Sequence, residues 1–247
     1  MKYYETVTFS LVPKDCGRVL DFGCGDGSFC KKLTKRANEI YGCDIDRGLI
    51  GKAKRTVKGV KFNLLGPKDK TPYKNNYFDC VFMMGVLEHV VDEKETLREV
   101  ERILKPNGSL FIFGINKNSF GFLDAGNLKF VFPRIHKFLY TFLLRKDIYQ
   151  REFIKKRKEG MFGDITLGKK WHSHYSTKDL TQLFDGKFRI QVVRHFGLFI
   201  PILLPLKYIY DFKFKKINRF LEKLIYLDQK IISPLHSYLF VVKCVKI

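Results

Sequence analysis

The sequence predicts an α/β fold, a seven-stranded and mostly parallel sheet with helices on both faces. Short apolar runs alternate with amphipathic ones through residues 15–116, at the spacing of right-handed βαβ units. A glycine-rich bend, Asp21-Phe22-Gly23-Cys24-Gly25-Asp26-Gly27, stands where the first strand passes into the first helix. At 247 residues, 45% hydrophobic and 29% charged, the chain is long and apolar enough to bury a core around such a sheet.

The elements follow in order. Arg18–Phe22 is an apolar strand ending at the glycine bend, and Ser28 to Ala37 has helical spacing with basic Lys35-Arg36 in its last turn, where the helix dipole favours cations. Ile40–Asp44 reads as the second strand, Arg47 to Val57 as the second helix and Val60–Leu65 as the third strand. Asp79–Met84 is almost wholly apolar, as a strand covered on both faces must be. Glu93–Leu104 places Leu97, Val100, Ile103 and Leu104 on one helical stripe. Lys105-Pro106-Asn107-Gly108 predicts a turn, and Leu110–Ile115 a fifth strand.

Beyond residue 116 the alternation breaks. Ser176-Thr177-Lys178-Asp179 has the form of a capping box before the helix Leu180–Phe184. Phe188–His195 and Tyr238–Val245 complete the seven strands. The expectation is one domain over 1–247, its core formed by 15–116, 176–196 and 237–247. Basic, aromatic insertions follow strand five (117–175) and separate strands six and seven (197–236) as lid or membrane-facing elements.

Composition narrows the class. Cys16, Cys24, Cys30, Cys43, Cys80 and Cys244 form no C-x-x-C pair and several lie in apolar runs, so buried reduced thiols are expected and no metal site. The N-terminal residues lack the apolar run of a secretory signal. The longest apolar stretch, Phe196 to Leu206, is broken by Pro201 and Pro205 and falls short of the ~20 residues a membrane span needs. The expected location is cytoplasmic, peripheral on the inner membrane face. Residues 1–116 hold 20 Lys and Arg against 15 Asp and Glu, whereas 117–247 hold 26 against 10, together with 24 of the 37 aromatic residues. That second half points to an anionic partner, lipid surface or nucleic acid, or else to a solvated basic surface.

The glycine bend carries the chemistry. Glycine takes positive φ cheaply and admits a ligand close to the backbone. Phosphate loops share this device, but Asp21 at the strand tip would repel a pyrophosphate and attract an ammonium, and no Gly-Lys-Ser/Thr follows to meet a triphosphate. Asp44, in Tyr41-Gly42-Cys43-Asp44-Ile45-Asp46, lies about 20 residues on, the spacing of a ribose-binding acid in this fold. The competing reading of Asp44 is a helix N-cap, for which Asp46 is better placed. A ligand with a positive amino group and a ribose fits both acids.

On these residues the chain resembles the class I S-adenosylmethionine (SAM)-dependent methyltransferases, of Rossmann-like fold, and within them the methyltransferase type 11 group that includes ubiquinone and menaquinone biosynthesis enzymes. The matching segments are Leu20–Gly27, Gly42–Asp46, Pro72-Tyr73 through Phe78-Asp79, Val86-Leu87-Glu88-His89-Val90 and Leu104–Leu110, five motifs in the family's order. The resemblance implies SAM as cofactor. Asp21 with Gly23, Cys24, Gly25 and Gly27 would hold the methionine portion, and Asp44 beside Ile45 the ribose. The backbone around Met84 and Gly85 would complete the methionine site. Gly66-Pro67-Lys68-Asp69 departs from the family's Gly-Asp-Ala near the adenine, which would leave Lys68 or Asp69 to serve there.

For an oxygen or nitrogen acceptor a base is needed, and the candidates are Glu88 and His89 beyond strand four, and His172 and His174, with Tyr175, before the capping box. Each has a bland alternative, Glu88-His89 as a helix start and Trp171 to Ser176 as a loop anchor. No Asn/Asp-Pro-Pro-Tyr follows strand four and no Pro-Cys nucleophile is present, which argues against exocyclic base amines and cytosine C5 as targets. Phe130–Leu144 leads to Lys155-Lys156-Arg157-Lys158, and Phe196–Tyr210 leads to Lys213, Lys215, Lys216 and Arg219. Apolar residues joined to basic clusters describe interfacial elements on an anionic bilayer. The expected acceptor is a small amphipathic or lipid-linked molecule, taken by O- or C-methylation, with no obligate protein partner. An RNA methyltransferase and a non-catalytic SAM-binding partner subunit remain as alternatives.

Overall fold

The computed structural model describes residues 3–66, 70–118, 127, 131–143, 172–200, 202–203, 215–231 and 237–247. Its elements are α1 (Tyr3–Leu11), β1 (Cys16–Phe22), α2 (Ser28–Leu33), β2 (Ala37–Asp44), α3 (Arg47–Thr56), β3 (Val60–Leu64), β4 (Phe78–Met84), α4 (Glu93–Ile103), β5 (Leu104–Ile115), α5 (Pro133–Leu143), α6 (Thr177–Phe184), β6 (Phe188–Phe196), α7 (Lys215–Asp228) and β7 (Leu239–Lys246). The strands form one mostly parallel seven-stranded sheet in the order β3-β2-β1-β4-β5-β7-β6. The pairings among β3, β2, β1, β4 and β5 are all parallel, so their carboxyl ends lie along one edge. Strand order reverses at β1, where β2 lies on one side and β4 on the other. This is the place where open α/β sheets take ligands.

Two compact units emerge, the first built from residues 1–114, 176–194 and 241–247, the second from 115–175 and 195–240. In the first unit β4 is buried from Cys80 through Met83, as its unbroken apolar run requires. Phe82 stacks on Phe111 of β5 with centroids 4.8 Å apart and receives the edge of Phe29 from α2. Asp92 caps α4 by accepting from the Glu95 amide, and Leu97, Val100 and Ile103 form its buried stripe. The capping box at Ser176 forms in both directions, its Oγ accepting from the Asp179 amide and the Asp179 carboxylate from the Ser176 amide. All six cysteines are buried free thiols.

In the second unit the segment before α6 is tied by backbone bonds. Asn116 bridges Tyr175 and donates its side-chain amide to the Ser237 carbonyl, while buried Asp228 at the end of α7 accepts from the amides of Leu198 and Phe199. Among the described residues no helix is long and apolar enough to cross a membrane.

Two local expectations are corrected, and one helix was not anticipated. The helix expected to run to Ala37 stops at Leu33, because the chain must re-enter the sheet at Ala37 to pair with Cys16 of β1. The expected turn at residues 105–108 lies inside β5 as a bulge. Phe78 pairs with Leu104 and Cys80 with Ser109, so the intervening residues are squeezed out and Asn107 takes φ of 62°. Finally, α1 carries no clear apolar stripe in sequence. It is a helix held by tertiary contacts, with Thr8 fully buried and Glu5 ion-paired to Lys32 of α2.

Candidate donor site at the strand tips

The tips of β1, β2 and β4 lie side by side. Asp21 is the penultimate residue of β1, Asp44 the last of β2 and Met84 the last of β4, followed by Gly85. The chain leaving β1 folds back on β2, since the amides of Gly23 and Cys24 both donate to the Cys43 carbonyl, at 2.8 and 2.9 Å. Gly23, Gly25 and Gly27 all adopt positive φ, which explains their identity as glycine. Gly27 is the N-cap of α2, and its amide donates to the Cys24 carbonyl at 3.0 Å.

The three glycines differ in what surrounds them. A Cβ on Gly23 would lie 2.5 Å from Val86 and one on Gly27 2.8 Å from the Phe62 ring, so these two serve packing. Among the described residues, and its chain neighbours aside, Gly25 has no atom within 4 Å of such a carbon. Its open side is room for a ligand against the backbone.

Asp21 is 2% exposed and, among the described residues, accepts only from the Cys30 thiol, at 3.2 Å. Burial pushes its carboxyl up to about 7, and the negative charges of Asp44 and Glu5 push the same way against the thiol's opposite effect. A carboxylate so placed is short of positive charge, and an ammonium group is the partner that would hold it ionised. Asp44 is organised differently. Its Oδ2 accepts from the Gly25 amide at 2.7 Å and its Oδ1 from the Asp46 amide at 2.9 Å, while Asp46 caps α3 by accepting from Leu49. A carboxylate has about four acceptor positions, so lone pairs remain for two ribose hydroxyls. Ile45 is half-buried between the two acids.

At β4 the Gly85 amide donates to the Phe113 carbonyl at 3.1 Å, and φ of 75° turns the chain away from the sheet. Glu88 follows in a turn, not a helix. It is buried, and its Oε1 lies 3.5 Å from where a Gly85 Cβ would stand, which places a carboxylate at the β4 tip. His89 is half-buried in the same turn, its amide bonded to the Val86 carbonyl.

The structure therefore brings Asp21, Gly23, Cys24, Gly25, Gly27, Asp44, Ile45, Met84, Gly85, Glu88 and His89 to the tips of adjoining strands. Lys68 lies outside the described residues. His172 and His174 belong to the second unit. There the Asn127 side chain clamps the His172 backbone, accepting from its amide at 2.9 Å and donating to its carbonyl at 3.1 Å, and His174 is half-buried. Sequence reasoning missed two residues of α1: Glu5, whose charge acts on Asp21 at the β1 tip, and Tyr4, which stacks on Phe113 of β5. No motif marks them, because a helix of nine residues becomes legible only through what it packs on.

Residues 20–112 match the methyltransferase type 11 model, described as a methyltransferase domain. A protein of Methanocaldococcus jannaschii named only as uncharacterized is 42% identical over 101 residues, 41% of this chain and 42% of that one. The ubiquinone biosynthesis O-methyltransferase of Bradyrhizobium diazoefficiens is 32% identical over 105 residues, 41% of each chain. The chain thus spans under half the length of these curated relatives. A SAM-dependent methyltransferase of Thermotoga maritima of known structure aligns with a TM-score of 0.56 over 98% of this chain and 87% of that one, at 18% identity, which establishes the shared fold. The glycine bend, the two acids and the β4 tip all fall inside the matched segment, so residues 20–112 are similar to a methyltransferase domain and the chain shares the fold of SAM-dependent methyltransferases.

Proposed function

We propose that the chain transfers a methyl group from SAM to a small amphipathic or lipid-linked acceptor, by O- or C-methylation, at an anionic membrane surface. The observation that carries the donor half is Asp21, a buried carboxylate with no cationic partner among the described residues, beside the backbone of Gly25. Asp21 would bind the amino group and Asp44 the ribose, and the backbone at Met84–Gly85 would align the donor for in-line transfer. When bound, SAM supplies a sulfonium-activated methyl group that needs no further activation by the protein. Glu88, buried at the β4 tip, would take the acceptor's proton as the new bond forms. His89, His172 and His174 are the further candidates for that proton. Similarity to the Bradyrhizobium O-methyltransferase favours an oxygen acceptor.

The membrane half rests on α5 and α7. Along α7, Phe220 and Leu227 are exposed seven residues apart with Ile231 just beyond, and Lys223 and Lys230 are exposed beside them. On α5, Ile135 and Phe138 are exposed with Arg134 and Lys137. An apolar stripe edged by cations suits the headgroup region of an anionic leaflet, where long basic side chains reach the phosphates. The basic cluster at residues 155–158 lies outside the described residues.

Isothermal titration with SAM tests the donor assignment, which is lost if no heat of binding is seen. Sedimentation with phosphatidylglycerol-containing vesicles at low salt tests the membrane assignment, and a protein left wholly in the supernatant overturns it. The same vesicles with competing RNA distinguish a lipid surface from a nucleic-acid partner, because RNA binding falls steeply as salt rises.

A further inference from the structure

We propose that Tyr4 is a positioning residue of the donor site, its aromatic ring forming the wall against which the sulfonium rests. The inference depends on the SAM reading above and adds a residue outside the family match, which begins at residue 20.

The ring of Tyr4 stacks on Phe113 with centroids 4.0 Å apart and planes 17° from parallel. Phe113 belongs to β5, at the level of Met84 in β4, and its ring edge lies 3.9 Å from where a Gly85 Cβ would stand. Burial, and after it the negative charges of Glu5 and of Asp21 at the β1 tip, hold the Tyr4 phenol protonated. Because Phe113 pairs with Met84 in the sheet and its ring edge lies beside Gly85, a ring stacked on Phe113 stands next to the β4 tip. The methyl group must be handed across at that tip if Asp21 holds the amino group of the same molecule.

The ring is held there by a docked helix. Glu5, the next residue, is buried and paired with Lys32 of α2. Phe9 meets Phe29 edge-on at 6.3 Å and carries the Arg36 guanidinium 5.7 Å above its ring. Thr8, fully buried, donates to the Tyr4 carbonyl at 2.8 Å. The aromatic face is therefore pre-positioned before any ligand arrives.

An aromatic face attracts a cation more strongly than a neutral thioether of the same shape. The donor carries a sulfonium and the demethylated product does not, so Tyr4 favours charged donor over spent product, an advantage that neither Asp21 nor Asp44 provides. Both acids bind parts that the two molecules share.

The test is titration calorimetry of the full chain with SAM and with S-adenosylhomocysteine, comparing wild type, Tyr4→Phe and Tyr4→Leu, each checked by thermal melting. Tyr4→Phe keeps the wild-type ratio of the two dissociation constants. Tyr4→Leu weakens SAM about 3- to 30-fold relative to S-adenosylhomocysteine, the span of a partly to fully desolvated cation–ring contact. Tyr4→Met replaces the leucine variant if that variant does not fold. Equal weakening of both ligands, no weakening of either, or a shifted ratio in Tyr4→Phe overturns the proposal. A wild-type protein that binds neither ligand overturns the donor assignment itself, a separate result.

Discussion

The amide of Gly25 donates to Oδ2 of Asp44 at 2.7 Å, so the acid at the β2 tip holds the bend that follows β1 before it holds anything else. With Oδ1 taken by the Asp46 amide, one carboxylate fixes both the glycine loop and the approach to α3. If Asp44 also holds the ribose, loop geometry and ligand contact are coupled through a single side chain. Asp44→Asn exchanges one acceptor oxygen for an NH₂ that faces an amide donor. We expect a loss of about 1–3 kcal/mol in stability, read as a lower urea midpoint. SAM affinity falls at least about tenfold, the equivalent of one lost charge-assisted contact. Unchanged affinity in the folded variant would remove Asp44 from the donor site.

Asp21 makes stability and pH inseparable. Its carboxyl is pushed up to about 7 by burial, far above the ordinary value near 3.8, so the folded state holds its proton more tightly than the unfolded chain. Stability is therefore greatest below the ordinary carboxylate range, falls as pH rises from about 4 to about 7, and is level above. Asp21→Asn removes that fall. Urea melts should show the variant gaining on wild type by on the order of 2–4 kcal/mol between pH 4 and pH 8, at about 1.4 kcal/mol per pH unit. A gap that does not widen with pH would contradict it.

The same proton opposes the ligand. An ammonium group pairs with the ionised form of Asp21, so below pH 7 binding must first expel a proton. We expect the SAM dissociation constant to rise about tenfold for each pH unit from 7 down to 5, with proton release visible as a buffer-dependent heat. A flat profile would separate Asp21 from the amino group.

Gly23 and Gly25 offer a paired test of packing against ligand room. Both have positive φ, so alanine at either costs about 1–2 kcal/mol in backbone strain. Only Gly23→Ala also drives a methyl into Val86, while Gly25→Ala projects into open space. Gly25→Ala should fold with a thermal midpoint a few degrees lower and lose SAM binding. Gly23→Ala should be the less stable protein of the two. Normal SAM affinity in Gly25→Ala would mean that the open space belongs to no ligand.

A second pH effect of opposite sign lies away from the site. Glu99 of α4 is nearly buried, and although burial raises its carboxyl, the bonds from Arg102 and Thr71 more than offset this and hold it below its usual range. The stability it contributes is present above the ordinary carboxylate value and lost as pH falls through its lowered one. Glu99→Gln should cost about 1–3 kcal/mol at pH 7 and progressively less towards pH 3, measured by urea unfolding at the two ends.

The strands β1 to β5, α3, α4 and the capping box at Ser176 were legible from the residues alone, because each rests on local rules. These are an apolar run covered on both faces, a 3.6-residue stripe, and a serine three residues before an acid. The glycine bend and the acids at 21 and 44 were legible for a related reason. A parallel strand–helix crossover puts strand tips on one edge, so residues at the ends of apolar runs must meet there. The fate of residues 105–108 was half legible. The turn residues were apparent, but that the strand would resume pairing on both sides and leave a bulge depended on β4.

What the sequence by itself determined is the sheet, its binding edge and the charge of that edge, since periodicity and glycine placement are properties of the chain. The tertiary structure alone decided that α1 comes to the same edge and lays Tyr4 on Phe113, 109 positions away. It also decided that Gly25 is open while Gly23 and Gly27 are crowded. Both outcomes are set by which side chains meet across distant segments, and the free energy of such a meeting belongs to the pair and is written in neither residue's neighbourhood.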